Sequence, residues 1–337
     1  MRKPTHIGVF VLLLLSLLLA ACGGGGATSP TTAPAGDAPA ATEAPAAAVA
    51  TEAPAVEAPV ASGEPIAIGS KNFTEAILVA EMYALVLEDA GFTVERSFNL
   101  GATPVAQAAL VNGDIDLYPE YTSTGLLEVL GQDPIADADG IVEAVRTGYE
   151  EQFQLTWLTP SPFNNTNALA MTQARADELG IKTYSDLAAQ SAELRLGGPP
   201  EFPERQDTQG LVAAYGFDPA FTGDNFVQLD TGTLRYEALQ SGEIDVVVAF
   251  GTDGQINGLG LALLEDDKGY YPIYQIAPVV RQDTLAASPG IAEALNKLAP
   301  ALTNDVMSGL NWQVDGPDKK EVADVAREFL TSQGLIQ

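Results

Sequence analysis

The chain has one histidine, His6, and one cysteine, Cys22, and both lie at its very start. From residue 23 onward it therefore has no imidazole and no thiol. That removes the usual base for a serine or cysteine nucleophile, the commonest transition-metal ligand, and any disulfide within one chain. A Gly-x-x-x-x-Gly-Lys-Ser/Thr phosphate loop and a Gly-x-Ser-x-Gly nucleophile elbow are also absent. Positive charge is scarce: 16 Lys and Arg face 45 Asp and Glu, a net charge of −29. From Glu64 onward the count is 14 basic against 41 acidic residues, a balance of −27. Such a surface repels nucleic acid, so no nucleic-acid partner is expected. No catalytic residue, metal site or cofactor is expected. Only paired-carboxylate chemistry of the glycosidase kind stays formally open, as a lipid-anchored carboxylate-dependent hydrolase. Long hydrophobic runs are missing too. Ile7 to Ala20 is the one extended apolar stretch, and it is short of the ~20 residues that a spanning helix needs.

What is present at the start is ordered. Arg2 and Lys3 precede the apolar stretch, and Leu19-Ala20-Ala21-Cys22 follows it, the order of a secretory signal peptide over residues 1–21. Leu-Ala-Ala-Cys resembles the lipobox of bacterial lipoproteins. The resemblance implies lipidation of Cys22 and an extracytoplasmic protein anchored to the cell membrane through its lipid. Residues 22–63 are Gly, then Ala, Pro and Thr with isolated acids, without an aromatic, Leu or Ile. That composition cannot bury enough apolar surface to offset ordering, so a disordered tether is expected. At ~3.1 Å per residue it could reach on the order of 100 Å when extended.

Residues 64–337 are long enough for two cores. Short apolar runs alternate with helix-period segments, which predicts α/β lobes with mainly parallel sheets. Ile66-Ala67-Ile68 reads as a first strand. Asn72 with Glu75 three residues on reads as a capping box opening a helix, and Pro289 to Leu335 reads as mostly helical. An internal echo is more telling. Ala109-Leu110-Val111-Asn112-Gly113-Asp114-Ile115-Asp116-Leu117 is matched by Ala238-Leu239-Gln240-Ser241-Gly242-Glu243-Ile244-Asp245-Val246, and an aromatic comes eight residues after each glycine, Tyr121 and Phe250. Each half thus ends a helix, runs a strand and sets an aromatic just past it. In open α/β sheets ligands collect outside those strand ends, so two such aromatics are expected to face one cleft.

Three segments carry a family resemblance: Ser70-Lys71-Asn72-Phe73-Thr74-Glu75, Asp116-Leu117-Tyr118-Pro119-Glu120-Tyr121-Thr122-Ser123-Thr124-Gly125, and Tyr271-Pro272-Ile273-Tyr274-Gln275-Ile276-Ala277-Pro278-Val279-Val280-Arg281. Together they resemble the glycine betaine/choline/carnitine-binding proteins of osmoprotectant ABC importers, in order along 64–337. The resemblance implies a two-lobed periplasmic-binding-protein-like (type II) α/β fold with two interlobe crossovers and a ligand cleft. Lobe one would be 64–166 with 276–337, and lobe two 167–275. It implies a monomer that takes a small quaternary-ammonium solute and works with an ABC permease and ATPase complex.

By motif position, Tyr121, Phe250 and Tyr274 look like walls of an aromatic box. Ring faces attract such a cation by roughly 0.5–2 kcal/mol each. Asn167 stands where many relatives carry a further tyrosine, which leaves open another solute such as an amino acid derivative. Lys71 and Arg205 are candidates for a ligand carboxylate and together favour a betaine-like zwitterion, with Thr124 adding a hydroxyl. Tyr118, Trp157 and Trp312 are expected to be packing residues. A surface module of the same fold used for sensing or adhesion is a further alternative.

Overall fold

The computed structural model describes residues 63–229 and 232–337. The 1–21 leader, Cys22 and all but the last residue of the 22–63 segment lie outside the described residues. No helix among the described residues is long and apolar enough to cross a membrane.

Two five-stranded sheets organise the chain. One contains β1 (Ile66–Gly69), β2 (Val94–Ser97), β3 (Leu117–Tyr121), β4 (Leu155–Trp157) and β10 (Ile276–Arg281), in the order β2-β1-β3-β10-β4. The other contains β5 (Asn167–Thr172), β6 (Leu196–Gly198), β7 (Phe226–Gln228), β8 (Val246–Phe250) and β9 (Leu261–Leu263), in the order β7-β6-β8-β5-β9. The chain thus passes between sheets twice, after β4 and before β10.

The sheets are mixed rather than mainly parallel. β1 is parallel to β2 and β3, and β6 to β7 and β8. The strands that follow each crossing, β5 and β10, are antiparallel to both neighbours. The reason is geometric. β3 and β8 run toward the crossing region, so a strand that starts there must run back the other way. This direction also fixes the register: Tyr121 pairs with Ile276, and Phe250 with Asn167. Each echo aromatic therefore sits opposite the first residue of a returning strand.

The echo itself is structural. Gly113 and Gly242 end their helices in the left-handed region, at φ 83° and 74°, where a side chain would be strained. Asp116 then accepts a bond from Ala67 N at 2.8 Å, and Asp245 one from Arg195 N at 3.0 Å. The same side chain stitches the same neighbouring backbone in both sheets.

Cores flank both sheets. The Thr74–Asp89 helix is buried nearly all round, as expected for a helix apolar on every side. It lies under the C-terminal helices, including Leu295, Met307, Val325 and Leu330. The second sheet packs on its own cluster around Tyr184, Phe202, Leu211 and Phe221. Tyr118 and Trp157 are buried packing residues, and Trp312 is half-buried.

The Asn72–Glu75 capping box does not form. Phe73 is the N-cap residue and no side chain caps the helix. Asn72 is exposed, and the Glu75 carboxylate turns inward, where amide and hydroxyl donors await it.

Candidate functional site

A cavity of about 480 Å³ opens where the ends of β3 and β8 meet the start of the Thr74–Asp89 helix. Tyr121, Phe250 and Tyr274 line it, together with Lys71 and Thr124. Five of the seven residues singled out from the sequence are therefore gathered in one place. Each arrives by a local cause. Tyr121 and Phe250 are the last residues of β3 and β8. Lys71 leaves the end of β1 just ahead of the helix, and Tyr274 enters with the return to β10. Tyr274 N bonds to Asn164 Oδ1 at 2.7 Å, which ties one crossing to the other.

Asn167 and Arg205 do not line this cavity. Asn167 pairs with Phe250 in the sheet. Arg205 is held by Asp207 through two bonds, 3.0 Å from Nε and 2.5 Å between the salt-bridged atoms. A guanidinium forked onto a carboxylate in this way has spent its bidentate face.

Lys71 is paired as well. It is 5% exposed, and its ammonium sits 2.5 Å from Oε1 of Glu120, which is fully buried. The same ammonium lies 4.7 Å from the Tyr121 ring centroid and 5.8 Å from that of Phe73. Phe73 stacks on Tyr121 with centroids 6.1 Å apart, and it is an exposed aromatic. Sequence reasoning passed over Phe73 although it lies inside a quoted motif; its signal was an aromatic just ahead of a buried helix.

The polar floor was also missed. Glu75 is 4% exposed. Its Oε1 accepts from the Tyr121 hydroxyl at 2.6 Å and from Asn165 Nδ2 at 2.8 Å. Its Oε2 accepts from Asn311 Nδ2 at 2.8 Å. The same Nδ2 reaches Thr252 O at 2.9 Å. Burial pushes the Glu75 carboxyl up from its ordinary value, against the pull of bonds from Thr252, Tyr121, Asn311 and Asn165. Burial likewise holds the Tyr121 hydroxyl well above its usual range, with the Glu75 charge adding to it. Asn165 had a signal in the Asn164-Asn165-Thr166-Asn167 run. Asn311 had none, because it comes from a helix far along the chain.

Phe250 is fixed from behind. Its backbone N–H donates to Asp253 Oδ2 at 3.0 Å. Asp253 in turn receives Arg235 at 2.8 Å and the Tyr236 hydroxyl. This buried arginine ties the turn after β8 together through Asp253, and Phe250 lines the cavity while remaining exposed.

Two mixed sheets, two crossings and an aromatic-walled cavity between strand ends define a periplasmic-binding-protein-like solute receptor. The substrate binding domain of ABC-type glycine betaine transport systems matches residues 64–332, and this chain belongs to that family. Members of the family are substrate-binding proteins of transporters, and the chain is one of them rather than an enzyme. It is 34% identical over 291 residues to the glycine betaine-binding protein YehZ of Escherichia coli, covering 83% of this chain and 94% of that one. It is also 34% identical over 274 residues to the ergothioneine transport permease/ergothioneine binding protein EgtU of Helicobacter pylori, with 81% of this chain matched. The chain spans about half, 48%, of that longer relative. A crystal structure described as a glycine betaine/carnitine/choline ABC transporter superposes with a TM-score of 0.75 at 30% identity, covering 81% of this chain and 100% of that one.

Proposed function

We propose that this chain is the extracytoplasmic receptor of an ABC importer, anchored through Cys22. It takes a small quaternary-ammonium solute and hands it to a permease and ATPase complex. The observation that carries the reading is the convergence of four aromatic side chains, Phe73, Tyr121, Phe250 and Tyr274, on one cavity between the two sheets. Ring faces attract a methylated cation that cannot form hydrogen bonds, and the attraction grows once water is excluded. Family membership supports the transport role.

The lobes that close on the ligand are 64–166 with 276–337, and 167–275. Tyr121 and Phe250 belong to opposite lobes, so one cation satisfies both only when the cleft shuts. Thr124 offers a hydroxyl contact and Lys71 a contact for a ligand carboxylate; Arg205 and Asn167 enter the site only if closure brings them round. The receptor works as a monomer.

A second reading, another small solute such as an amino acid derivative, is favoured by the polar floor of Glu75, Asn165 and Asn311. Calorimetry of residues 64–337 against glycine betaine, proline betaine, choline, carnitine and ergothioneine separates the two. Micromolar or tighter binding of one of these supports the first reading. Silence from all five leaves the second.

A further inference from the structure

Among the described residues the buried Lys, Arg and Glu side chains balance in pairs, with one exception. Lys71 pairs with Glu120, Glu81 with Arg96 and Arg235 with Asp253. Glu75 is the remaining one, and no Lys or Arg among the described residues forms an ion pair with it.

Its oxygens meet donors: Asn165 Nδ2 and the Tyr121 hydroxyl at Oε1, and Asn311 Nδ2 at Oε2. The two amide nitrogens can only donate, one to each oxygen, an environment that suits the ionised form. The two asparagines are oriented by it, since each presents its nitrogen to the carboxylate and leaves its own Oδ1 without a partner. A buried carboxylate with dipoles around it and no cation carries a large uncompensated desolvation cost. Glu75 lines the cavity together with Tyr121 and Phe250.

The geometry points to Glu75 as the counter-ion of the bound solute: the one buried carboxylate among the described residues that lacks an ion-pair partner is completed by the ligand's cation, and Glu75 selects for that charge. The inference rests on the reading of the cavity as a site for methylated ammonium, and it adds what the rings alone do not supply. Rings already favour a trimethylammonium over an uncharged tert-butyl group, since the quadrupole of each ring attracts the cation. A fixed carboxylate adds to that discrimination a charge contact of its own.

The test uses pairs of probes equal in shape and different in charge. Choline is compared with 3,3-dimethylbutan-1-ol, and glycine betaine with 3,3-dimethylbutanoate, on wild type and Glu75→Gln by calorimetry. Thermal unfolding of each variant establishes that it is folded. The expected result is that Glu75→Gln compresses the ratio of cation to carbon-analogue affinity by about tenfold or more, while the analogue's own affinity changes little. Glu75→Asp retains the charge and withdraws it by one methylene, so it compresses the ratio less, and it carries the test should the Gln variant not fold. Equal loss for both members of a pair, in either folded variant, overturns the inference and makes Glu75 a prop for Tyr121. Wild type that binds neither choline nor glycine betaine overturns the reading of the site and the inference with it.

Discussion

The Lys71 ammonium lies 4.7 Å from the centre of the Tyr121 ring, held there by Glu120 at 2.5 Å. The protein thus keeps a cation of its own against the ring that it offers to a solute. Glu120 is on β3 beside Tyr121 and is fully buried, while Lys71 covers it on the cavity side. Its Oε1 also receives the Tyr121 backbone N–H at 2.6 Å. Ring, ammonium and carboxylate are one unit, so a ligand carboxylate that reaches Lys71 shares its ammonium with Glu120.

Breaking that unit on one side is expected to be costly. Lys71→Met leaves Glu120 buried without its cation, held only by the Tyr121 N–H and the Tyr118 hydroxyl, and should lower stability by about 3–5 kcal/mol. The double variant Lys71→Met with Glu120→Gln removes both charges and should recover most of the loss. Urea unfolding of the three proteins reads this directly. A single variant as stable as wild type would show that water reaches Glu120.

Binding should separate the two ends of the expected ligand. Tyr121→Ala removes a ring face and the donor to Glu75, and should weaken a bound methylated ammonium by tenfold or more, from roughly 0.5–2 kcal/mol for the face and about 1 kcal/mol for the bond. Tyr121→Phe keeps the face and should lose only a few-fold. Arg205→Ala should change affinity less than threefold, because Asp207 already holds the guanidinium. A large loss in Arg205→Ala, by calorimetry, would mean that closure draws Arg205 away from Asp207.

Much of this arrangement was legible in the residues. The repeated Gly-acid-Ile-Asp run placed two helix ends, two strands and both Tyr121 and Phe250, because glycine at a left-handed position and apolar alternation are local signals. The antiparallel returns were not legible. Nothing within Asn167–Thr172 or Ile276–Arg281 states a direction; it follows from where the chain re-enters each sheet. The polar floor was hidden for the same reason. Glu75 three residues after Asn72 matches a capping box, and only the arrival of Asn165 and Asn311 from elsewhere makes inward burial the better choice. Arg205 stands out by its family position and as a rare positive charge, and here its fork faces Asp207, a neighbouring acid, rather than the cavity.

Acidification should act on stability and binding in opposite senses. The folded carboxyl of Glu75 sits above its unfolded value, chiefly through burial. The folded state therefore holds that proton more tightly. Its contribution to stability is fully present below the unfolded value and is lost as pH rises through the folded one. As pH falls through the raised carboxylate range, ligand-free wild type should gain Tm relative to Glu75→Gln, which has no such proton. Over the same range its affinity for choline should fall. Glu88 and Asp283, whose values are lowered by Arg96 and Arg281, lose stability on acidification in both proteins and cancel in the difference. A Tm difference that stays flat with pH would place the Glu75 carboxyl at its ordinary value.

The junction between the sheets makes the last prediction. Asn304, Ser308 and Asn311 share one face of the Asn304–Asp315 helix, and each donates to a carbonyl of the turn after β8: Gly251 at 3.0 Å, Asp253 at 2.8 Å and Thr252 at 2.9 Å. That turn carries Phe250 and Thr252 into the cavity. The contact is close because Gly258 has no side chain; a Cβ there would lie 2.0 Å from Trp312 Cδ2. Gly258→Ala should therefore force the Gly254–Gly258 helix off its partner, costing about 1–3 kcal/mol as overpacking. It should also weaken solute binding, since the turn shifts with the helix. In a Trp312→Ala background the same substitution should cost far less, because the ring it strikes is gone. Equal costs in the two backgrounds, from a double-mutant cycle of unfolding free energies, would mean that the ring is not what holds the two elements at this spacing.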